Sequence, residues 1–188
     1  MAQTHRYHQS LHQLNGIHFI SATTYHRTMY FSDSQICLIL QQQMMFYSKL
    51  YQIDLLSFVI MPDHLHCLIW PQGEKTFSDF MRGVKSYSGK KILEELDRRG
   101  PQTQPIKTNY EYNNRLGVST NINRRGPMTP PVRKIWQDTF FTYFIDSVFK
   151  LEEKLEYIKQ NPIKAGLVST SEAYRWLYVN PKINEIEF

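Results

Sequence analysis

The sequence predicts an α+β fold in which helices pack on an antiparallel sheet of four to five strands. Stretches rich in β-formers alternate with stretches whose apolar residues recur every three to four positions, which indicates both strands and amphipathic helices. Two strand-like runs are separated only by Pro62-Asp63, which favours a hairpin and therefore antiparallel pairing, with one continuous kinked strand as the alternative. The order strand, helix, strand, strand, helix, strand, helix is typical of a sheet covered by helices.

The first half of the chain accounts for five of these elements. Phe31-Ser32-Asp33-Ser34 offers an N-cap for one helix, and Thr76-Phe77-Ser78-Asp79 has the pattern of a capping box at the start of another. The predicted elements are a strand at 16–25, a helix from the cap at 31–34 to about 51, strands at 55–61 and 64–70, and a helix from 76 to about 99.

The second half opens with a change of composition at 100–131, where Asn, Thr, Pro, Gly, Gln and Arg predominate without periodicity. Arg98-Arg99-Gly100-Pro101 recurs as Arg124-Arg125-Gly126-Pro127, so the repeat brackets this segment. We interpret it as a disordered basic insertion within a single domain that spans residues 1–188. A strand region at 135–144 and a last helix follow; Asp146 or Ser147 is predicted to cap that helix, and Pro162 is predicted to end it.

Composition excludes several classes of protein. The chain has 188 residues, enough for one domain with a sizeable core, and no apolar run of the roughly 20 residues that span a bilayer. Residues 1–8 contain no apolar signal core, so we expect no export and no membrane association. Cys37 and Cys67 both lie in apolar runs, which indicates small core residues and a cytoplasmic protein.

Positive charge is concentrated in one part of the chain. The net charge is +5, yet the segment from Asp97 to Lys134 alone holds eight basic residues against two acids. A local basic excess of this kind suggests a polyanionic partner. A solvated loop that binds nothing would show the same excess, and composition alone does not separate the two interpretations.

Two histidines lie two residues apart in the third predicted strand. Because strand side chains alternate between faces, His64 and His66 project from the same face, while Leu65 and Cys67 point to the other. Two adjacent neutral imidazoles are a suitable pair of metal ligands. The pattern has low specificity on its own, because His-x-His occurs in many unrelated proteins.

The last predicted helix carries a second group of polar residues. Glu153, Tyr157 and Asn161 are spaced by four and therefore share one side of the helix, offset from its apolar residues. A tyrosine in such a position is usually half-buried packing, and Asn161 could be a helix-terminal residue before Pro162. The spacing alone leaves these interpretations open.

Taken together, the motifs resemble those of a known family. Met61-Pro62-Asp63-His64-Leu65-His66 is followed by a helix with Lys85, by Trp136-Gln137, by the run from Tyr157 to Val168 (YIKQNPIKAGLV), and by Tyr174-Arg175-Trp176. This order resembles the single-tyrosine transposases of small insertion sequences, and most closely the branch associated with repetitive extragenic palindromes (REP), the REP-associated tyrosine transposases. They belong to the superfamily named for His-hydrophobic-His (HUH). The resemblance covers about 19–176, apart from the insertion.

The resemblance implies a fold and a chemistry. It implies a ferredoxin- or RRM-like sheet with His-x-His on a central strand and the tyrosine on a C-terminal helix. Tyr157 would attack single-stranded DNA at hairpin-containing repeats and form a 5′-phosphotyrosine intermediate. Mg²⁺ or Mn²⁺ would be held by His64, His66 and Asn161, with Gln160 as the alternative third ligand and with phosphate oxygens, Glu153 or Asp63 completing the shell. The protein would act as a monomer or homodimer.

We assign DNA contacts to six basic residues of the charged region and the preceding helix: Arg82, Lys85, Arg98, Arg99, Arg124 and Arg125. The main alternative to an active transposase is a domesticated relative that binds DNA hairpins without cutting them. A plain nucleic-acid-binding domain would not need the two histidines and Tyr157 together. A metal-dependent hydrolase would need acidic ligands or a general base, and the sequence offers none at convincing spacing.

Overall fold

A computed structural model of the chain describes residues 16–100 and 134–186. Almost all of the insertion predicted at 100–131 lies outside these residues, and so do Arg124 and Arg125. The predicted disorder of the insertion and the DNA contacts of these two arginines stay predictions.

The described residues form five strands and three α-helices around one antiparallel sheet, in the order β4-β1-β3-β2-β5. The prediction of an α+β fold with a four- to five-stranded antiparallel sheet is therefore confirmed. The central strand is the one that carries the His-x-His pair. The elements are β1 (Ile17–Thr23), α1 (Ser34–Tyr51), β2 (Ile53–Met61), β3 (His64–Pro71), α2 (Phe77–Arg99), β4 (Phe141–Ile145), α3 (Val148–Lys164) and β5 (Leu177–Val179).

The sheet has a thick layer on one face and a thin layer on the other. Helices α1 and α2 cover the first face, where 22 buried side chains form one continuous cluster in the described part of the chain. Helix α3 covers the second face through Leu151, Leu155 and Ile158, in a cluster of 11 buried side chains. Since alternate residues of a strand point to opposite faces, β1, β2 and β3 each contribute buried side chains to both clusters.

Predicted caps begin all three helices. Asp33 accepts hydrogen bonds from the backbone N–H groups of Gln35 and Ile36, and Thr76 forms the expected capping box with Asp79. Ser147, one of the two predicted candidates, caps α3. No helix in the described ranges is both long enough and apolar enough to cross a membrane.

The prediction that Pro162 ends the last helix was wrong. Helix α3 continues to Lys164, and the chain then turns at Gly166, whose φ of 68° lies in the left-handed region. A proline within a helix lacks one backbone donor, which can kink a helix without ending it, and Pro162 is itself among the buried residues of α3. The N–H of Ala165 still bonds to the carbonyl of Asn161, so the last turn is closed beyond the proline.

The fourth strand is shorter than the predicted region at 135–144. It spans only Phe141–Ile145, while Trp136 forms a single bridge with Thr24. Trp136 is buried in the thick layer, where its indole Nε1 donates to the Ser88 hydroxyl at 3.0 Å. The segment before β4 therefore follows the contour of α2 instead of continuing the sheet.

The burial of both cysteines makes a testable prediction. Cys37 and Cys67 have no exposed surface, and burial raises the pKa of each thiol to about 12. Because the thiolate is the reactive form, we expect neither residue to react with an alkylating reagent in the native protein and both to react after denaturation. Labelling followed by mass spectrometry measures this. Rapid modification of either thiol under native conditions would contradict the fold around it.

Candidate active site

His64 and His66 project from β3 on the face covered by α3. His66 lies opposite Ser21 of β1 and Val59 of β2, near the middle of the sheet. The two imidazole ring centroids are 4.7 Å apart, with the ring planes inclined at 72°. The two rings therefore lie side by side, in the arrangement that the two-residue spacing implies.

His66 is buried with an unsatisfied nitrogen. Its residue surface is 5% exposed, and its Nδ1 atom has no hydrogen-bond partner among the described residues. Burial, reinforced by the neighbouring His64 and Arg27, lowers the pKa of His66 to about 3, so the ring is neutral at physiological pH. Leaving a buried polar nitrogen unpaired costs about 1–3 kcal/mol. A neutral ring with an orphan nitrogen is suited to coordinate a cation.

His64 is oriented by its neighbour in the β2–β3 turn. Its Nδ1 lies 2.6 Å from Asp63 Oδ1, and Arg27 donates to the other carboxylate oxygen at 3.2 Å. Burial alone would raise the pKa of Asp63, but the hydrogen bonds and charges of His64 and Arg27 hold it below its ordinary value. The ionised carboxylate therefore favours a proton on Nδ1, which leaves Nε2 of His64 as the free lone pair.

The Asp63 turn is itself anchored to the end of β1. The backbone N–H and the hydroxyl of Thr24 both donate to the Asp63 carbonyl oxygen, each at 2.9 Å. His26 and Arg27, two and three residues after Thr24, both have positive φ, of 54° and 51°. This backbone conformation is uncommon for non-glycine residues, and here it accompanies the Arg27–Asp63 contact.

Tyr157 is brought to the histidines by α3. Its ring centroid lies 5.1 Å from that of His66 and 5.7 Å from that of Phe19, edge-on in both cases. Phe19 in turn stacks on His66 at 5.4 Å. Tyr157 is 43% exposed, so the aromatic contacts position a side chain that solvent and substrate can still reach.

Asn161 lies one helical turn beyond Tyr157, and its hydrogen bond is with its own helix. Its amide nitrogen donates to the Tyr157 carbonyl at 2.6 Å, which leaves the amide oxygen as the atom that could ligate a cation. Gln160 bonds Glu156 at 2.8 Å and lies on the outer side of α3, away from the core residues. Glu153 pairs with Lys154 at 2.7 Å. The structure thus groups His64, His66 and Tyr157, while Asn161, Gln160 and Glu153 contact residues of α3.

The donor atoms present fit a weakly held divalent cation. No cluster of three or more His, Cys, Asp or Glu suitable for a metal occurs within residues 16–100 and 134–186. Imidazole ligands supply no negative charge, so a hard cation such as Mg²⁺ would need oxygen ligands from elsewhere. Asn161 could supply one oxygen, and a bound phosphate could supply the charge.

The described basic residues named from the sequence lie on α2, on the opposite side of the sheet from the histidines. Arg82 is exposed and pairs with Asp79 at 2.9 Å, and Arg98 is exposed and pairs with Glu95 at 2.7 Å. Arg99 differs, because only 18% of its side chain is exposed and it bridges Glu95 and Asp33. Arg99 therefore joins the end of α2 to the start of α1 and presents little charge to a ligand.

Lys85 helps to form a cleft between α2 and residues 134–140. Its ammonium donates to the backbone carbonyls of Asp138 and Thr139 at 2.9 and 3.2 Å. The cleft has a volume of about 560 Å³, and its basic lining residues are Arg82, Lys85, Lys90 and Lys134. Positive charge on this side of the molecule is thus gathered at a concave surface, which is separate from the histidine face.

Sequence reasoning missed several contributors to the histidine face. The sequence motifs include neither Arg27 nor Phe19, and they give Asp63 two roles, in the turn or as a ligand that completes the metal shell. A strand pattern shows that Phe19 shares a face with Ser21, but pairing with β3 was needed to place it beside His66. The contact of Arg27 with Asp63 depends on the left-handed backbone at residues 26 and 27, for which the sequence carries no clear signal.

The architecture is shared with a solved transposase. A REP-associated tyrosine transposase, solved bound to a REP hairpin, superposes with a TM-score of 0.61 at 16% identity, over 94% of this chain and 82% of the other. A putative transposase from Deinococcus radiodurans aligns with a TM-score of 0.47 at 13% identity, over 85% of this chain and 97% of the other. The first of these likenesses shows that the fold is that of a tyrosine transposase.

The family follows from the sequence match. Residues 11–120, more than half of the chain, match the model of the family described as "Transposase IS200 like", and the chain belongs to this family. The resemblance drawn from the motifs is thereby confirmed. The matched residues include His64 and His66 and end before Tyr157. No curated protein gives a significant match.

Proposed function

We propose that this protein is a single-stranded DNA transposase that cuts and rejoins DNA through a covalent link to Tyr157. The observation that carries the proposal is the 5.1 Å separation between the rings of Tyr157 and His66. A half-exposed phenol beside two histidine side chains, in a chain of the IS200-like family, is the arrangement that this reaction needs. The DNA partner is a single strand with a hairpin, by analogy with the hairpin-bound structural relative.

In the cleavage step, the Tyr157 hydroxyl oxygen forms a bond to the phosphorus, and the bond from phosphorus to the 3′ oxygen breaks. The phenolic proton leaves to solvent, the departing 3′ oxygen takes up a proton, and the 5′ phosphate stays on the tyrosine. The reverse attack by a 3′ hydroxyl rejoins a strand without an energy cofactor, because the phosphodiester bond energy is kept in the link. Phenols in model peptides have a pKa of about 10, so the nucleophile needs help at neutral pH.

That help is assigned to a divalent cation, Mg²⁺ or Mn²⁺, held by His64, His66 and Asn161. When bound, the cation would supply charge neutralisation at the attacked phosphate. Asp63 orients His64, and Phe19 supports the rings of His66 and Tyr157. Arg82, Lys85 and Arg98 are proposed to contact phosphates of the hairpin from the α2 side. The reaction would occur in the cytoplasm, with the protein as a monomer or homodimer.

The proposal is tested by incubating the full-length protein with a library of single-stranded hairpin oligonucleotides and Mn²⁺. We expect a protein–DNA band that survives denaturing electrophoresis, and a tryptic peptide containing Tyr157 with a 5′-linked nucleotide. Tight hairpin binding with no covalent band across the library would instead indicate the domesticated, catalytically inactive relative. A cut strand without a protein link would indicate hydrolysis by a metal-bound water.

Asp63 is expected to strengthen cation binding through His64. Replacing it with alanine removes the acceptor at Nδ1 and frees the ring to adopt the other tautomer or to rotate. Loss of such a partner typically lowers metal affinity by about 10- to 100-fold. Isothermal titration with Mn²⁺ measures the change, and the same substitution at Asp54, an exposed carboxylate on β2, is the matched control. Equal Mn²⁺ affinity in Asp63→Ala and the parent protein would contradict this role.

A further inference from the structure

The edge strand β4 carries two exposed aromatic side chains on the histidine face. Phe141 is 59% exposed and Tyr143 is 36% exposed. Phe141 pairs with Ser21, which pairs on its other side with His66, so all three side chains lie in one row across the sheet. Neighbouring strands are about 4.8 Å apart, which places Phe141 roughly 10 Å from His66.

Two lysines of α3 lie beside these aromatics. The ammonium group of Lys154 is 5.1 Å from the centroid of the Tyr143 ring and 5.8 Å from that of Phe19, and that of Lys150 is 5.8 Å from the Tyr143 ring. Lys154 precedes Tyr157 by three residues and therefore lies on the same side of the helix. The positively charged lysine side chains thus lie between the aromatic residues of β4 and Tyr157, the proposed nucleophile.

The lysines remain available to a phosphate despite their ion pairs. Lys154 pairs with Glu153 and Lys150 with Asp146, each at 2.7 Å; the carboxylates are about half exposed, and the lysine side chains are 22% and 34% exposed. Each ammonium group pairs with one carboxylate, whereas Arg99 is held between two. Ion pairs this close to solvent are worth about 0–1 kcal/mol, so a DNA phosphate can compete with the carboxylates.

Phe141 and Tyr143 differ in what their rings contact. Lys150 and Lys154 both lie over Tyr143, whereas the ring of Phe141 meets Phe19 at an edge-on 6.5 Å. The larger exposed area belongs to Phe141. An exposed aromatic ring beside cations is the combination by which proteins hold single-stranded nucleic acid, since every base has a face that can stack.

We propose that Phe141 stacks on a base of the single strand adjoining the phosphate that Tyr157 attacks, and that Lys154 contacts a backbone phosphate of that nucleotide. The inference rests on the proposed function and adds to the proposed active site a subsite that binds one nucleotide of the DNA strand. The flanking cations favour a polyanion over a second copy of this chain as the occupant of β4. Stacking tolerates any base, so this subsite contributes affinity and placement of the strand with little sequence selectivity.

The test measures binding without chemistry. In a Tyr157→Phe background, equilibrium affinity is determined for a short unstructured oligonucleotide, with and without 2-aminopurine as the reporter of stacking. We expect Phe141→Ala to weaken binding by about five- to 100-fold and to abolish the quenching of 2-aminopurine, and Phe141→Trp to keep both. The matched control is Phe149→Ala, because Phe149 is 74% exposed on the outer side of α3.

Lys154 is tested by the salt dependence of the same binding. Loss of one phosphate contact lowers the slope of log affinity against log salt by about 0.7 for a single strand, so Lys154→Gln should flatten it by that amount. Lys164→Gln, an exposed lysine at the end of α3, serves as the control.

Three results would overturn the inference. Unchanged affinity in Phe141→Ala, an equal loss in Phe149→Ala, or a dimer that dissociates when Phe141 is replaced would each show that the surface does not stack DNA bases. The binding measurement does not involve cleavage, so it is independent of the test of the proposed function. If the parent protein formed no covalent band but its DNA affinity still depended on Phe141, the proposed function would be wrong and the stacking contact would remain. If the parent protein cleaved DNA normally but Phe141→Ala left its DNA affinity unchanged, only the proposed nucleotide subsite would be wrong.

Discussion

Replacing Tyr157 with phenylalanine abolishes the covalent protein–DNA product and leaves folding and DNA binding nearly unchanged. The substitution removes one hydroxyl from a half-exposed ring and keeps the aromatic ring that packs against His66 and Phe19. Removal of the nucleophile leaves no covalent route, so we expect adduct formation to fall by about a thousandfold or more. Denaturing gels measure the covalent adduct, while thermal melting reports on folding and hairpin affinity reports on DNA binding.

Tyr143→Phe is the matched control for this experiment. Tyr143 lies on the same face, is similarly exposed, and is the tyrosine we would suspect next. We expect its phenylalanine variant to form the adduct. If the Tyr157 variant kept the adduct and the Tyr143 variant lost it, the nucleophile would be on β4 and the proposed role of α3 would be wrong.

His64→Ala and His66→Ala are each expected to lose cleavage by at least about 100-fold while the protein stays folded. Each ring would supply one of few cation ligands, so either loss leaves the attacked phosphate without charge neutralisation. Replacing His66 removes its packing against Phe19, which lowers the free energy of unfolding. This loss is partly offset because the substitution also removes an unpaired buried nitrogen. The readout besides cleavage is the melting temperature with and without Mn²⁺, which should rise in the parent protein and stay constant in both variants.

His18→Gln separates a ligand role from a core role. His18 is fully buried on the other face of β1, where it lies 4.1 Å from the ring of Phe77. We expect this variant to lose stability and still gain melting temperature with Mn²⁺. A large loss of stability in His66→Ala without metal, together with an undiminished Mn²⁺ effect, would instead make His66 a structural core residue.

Local pattern was sufficient for most of the fold. The caps at Asp33, Thr76 and Ser147 and the apolar spacing of the helices depend on interactions within a few residues, and these predictions hold. The two errors, at Pro162 and in the length of β4, have a common cause. Both depend on what the segment packs against, since Trp136 follows α2 instead of the sheet and the last turn of α3 is completed beyond the proline.

The candidate active site was harder to predict from local sequence patterns than the fold. The two-residue period of a strand places His64 and His66 on one face, but only the family resemblance singled out Tyr157 from the twelve tyrosines of the chain. Its proximity to His66 arises because Leu155 and Ile158 seat α3 on the sheet. The roles of Arg27 and Phe141 depend on pairing between distant strands and turns, which a single sequence does not specify.

The unequal layers on the two sides of the sheet separate what holds the protein together from what the protein does. The larger cluster of apolar side chains lies under α1 and α2, whereas the proposed nucleophile and cation ligands share the smaller one. Substitutions on the α3 face are therefore expected to remove the proposed chemistry while the scaffold and the basic surface of α2 persist. A few mutations could therefore convert a transposase of this kind into a domesticated DNA-binding protein, and each intermediate variant would still fold.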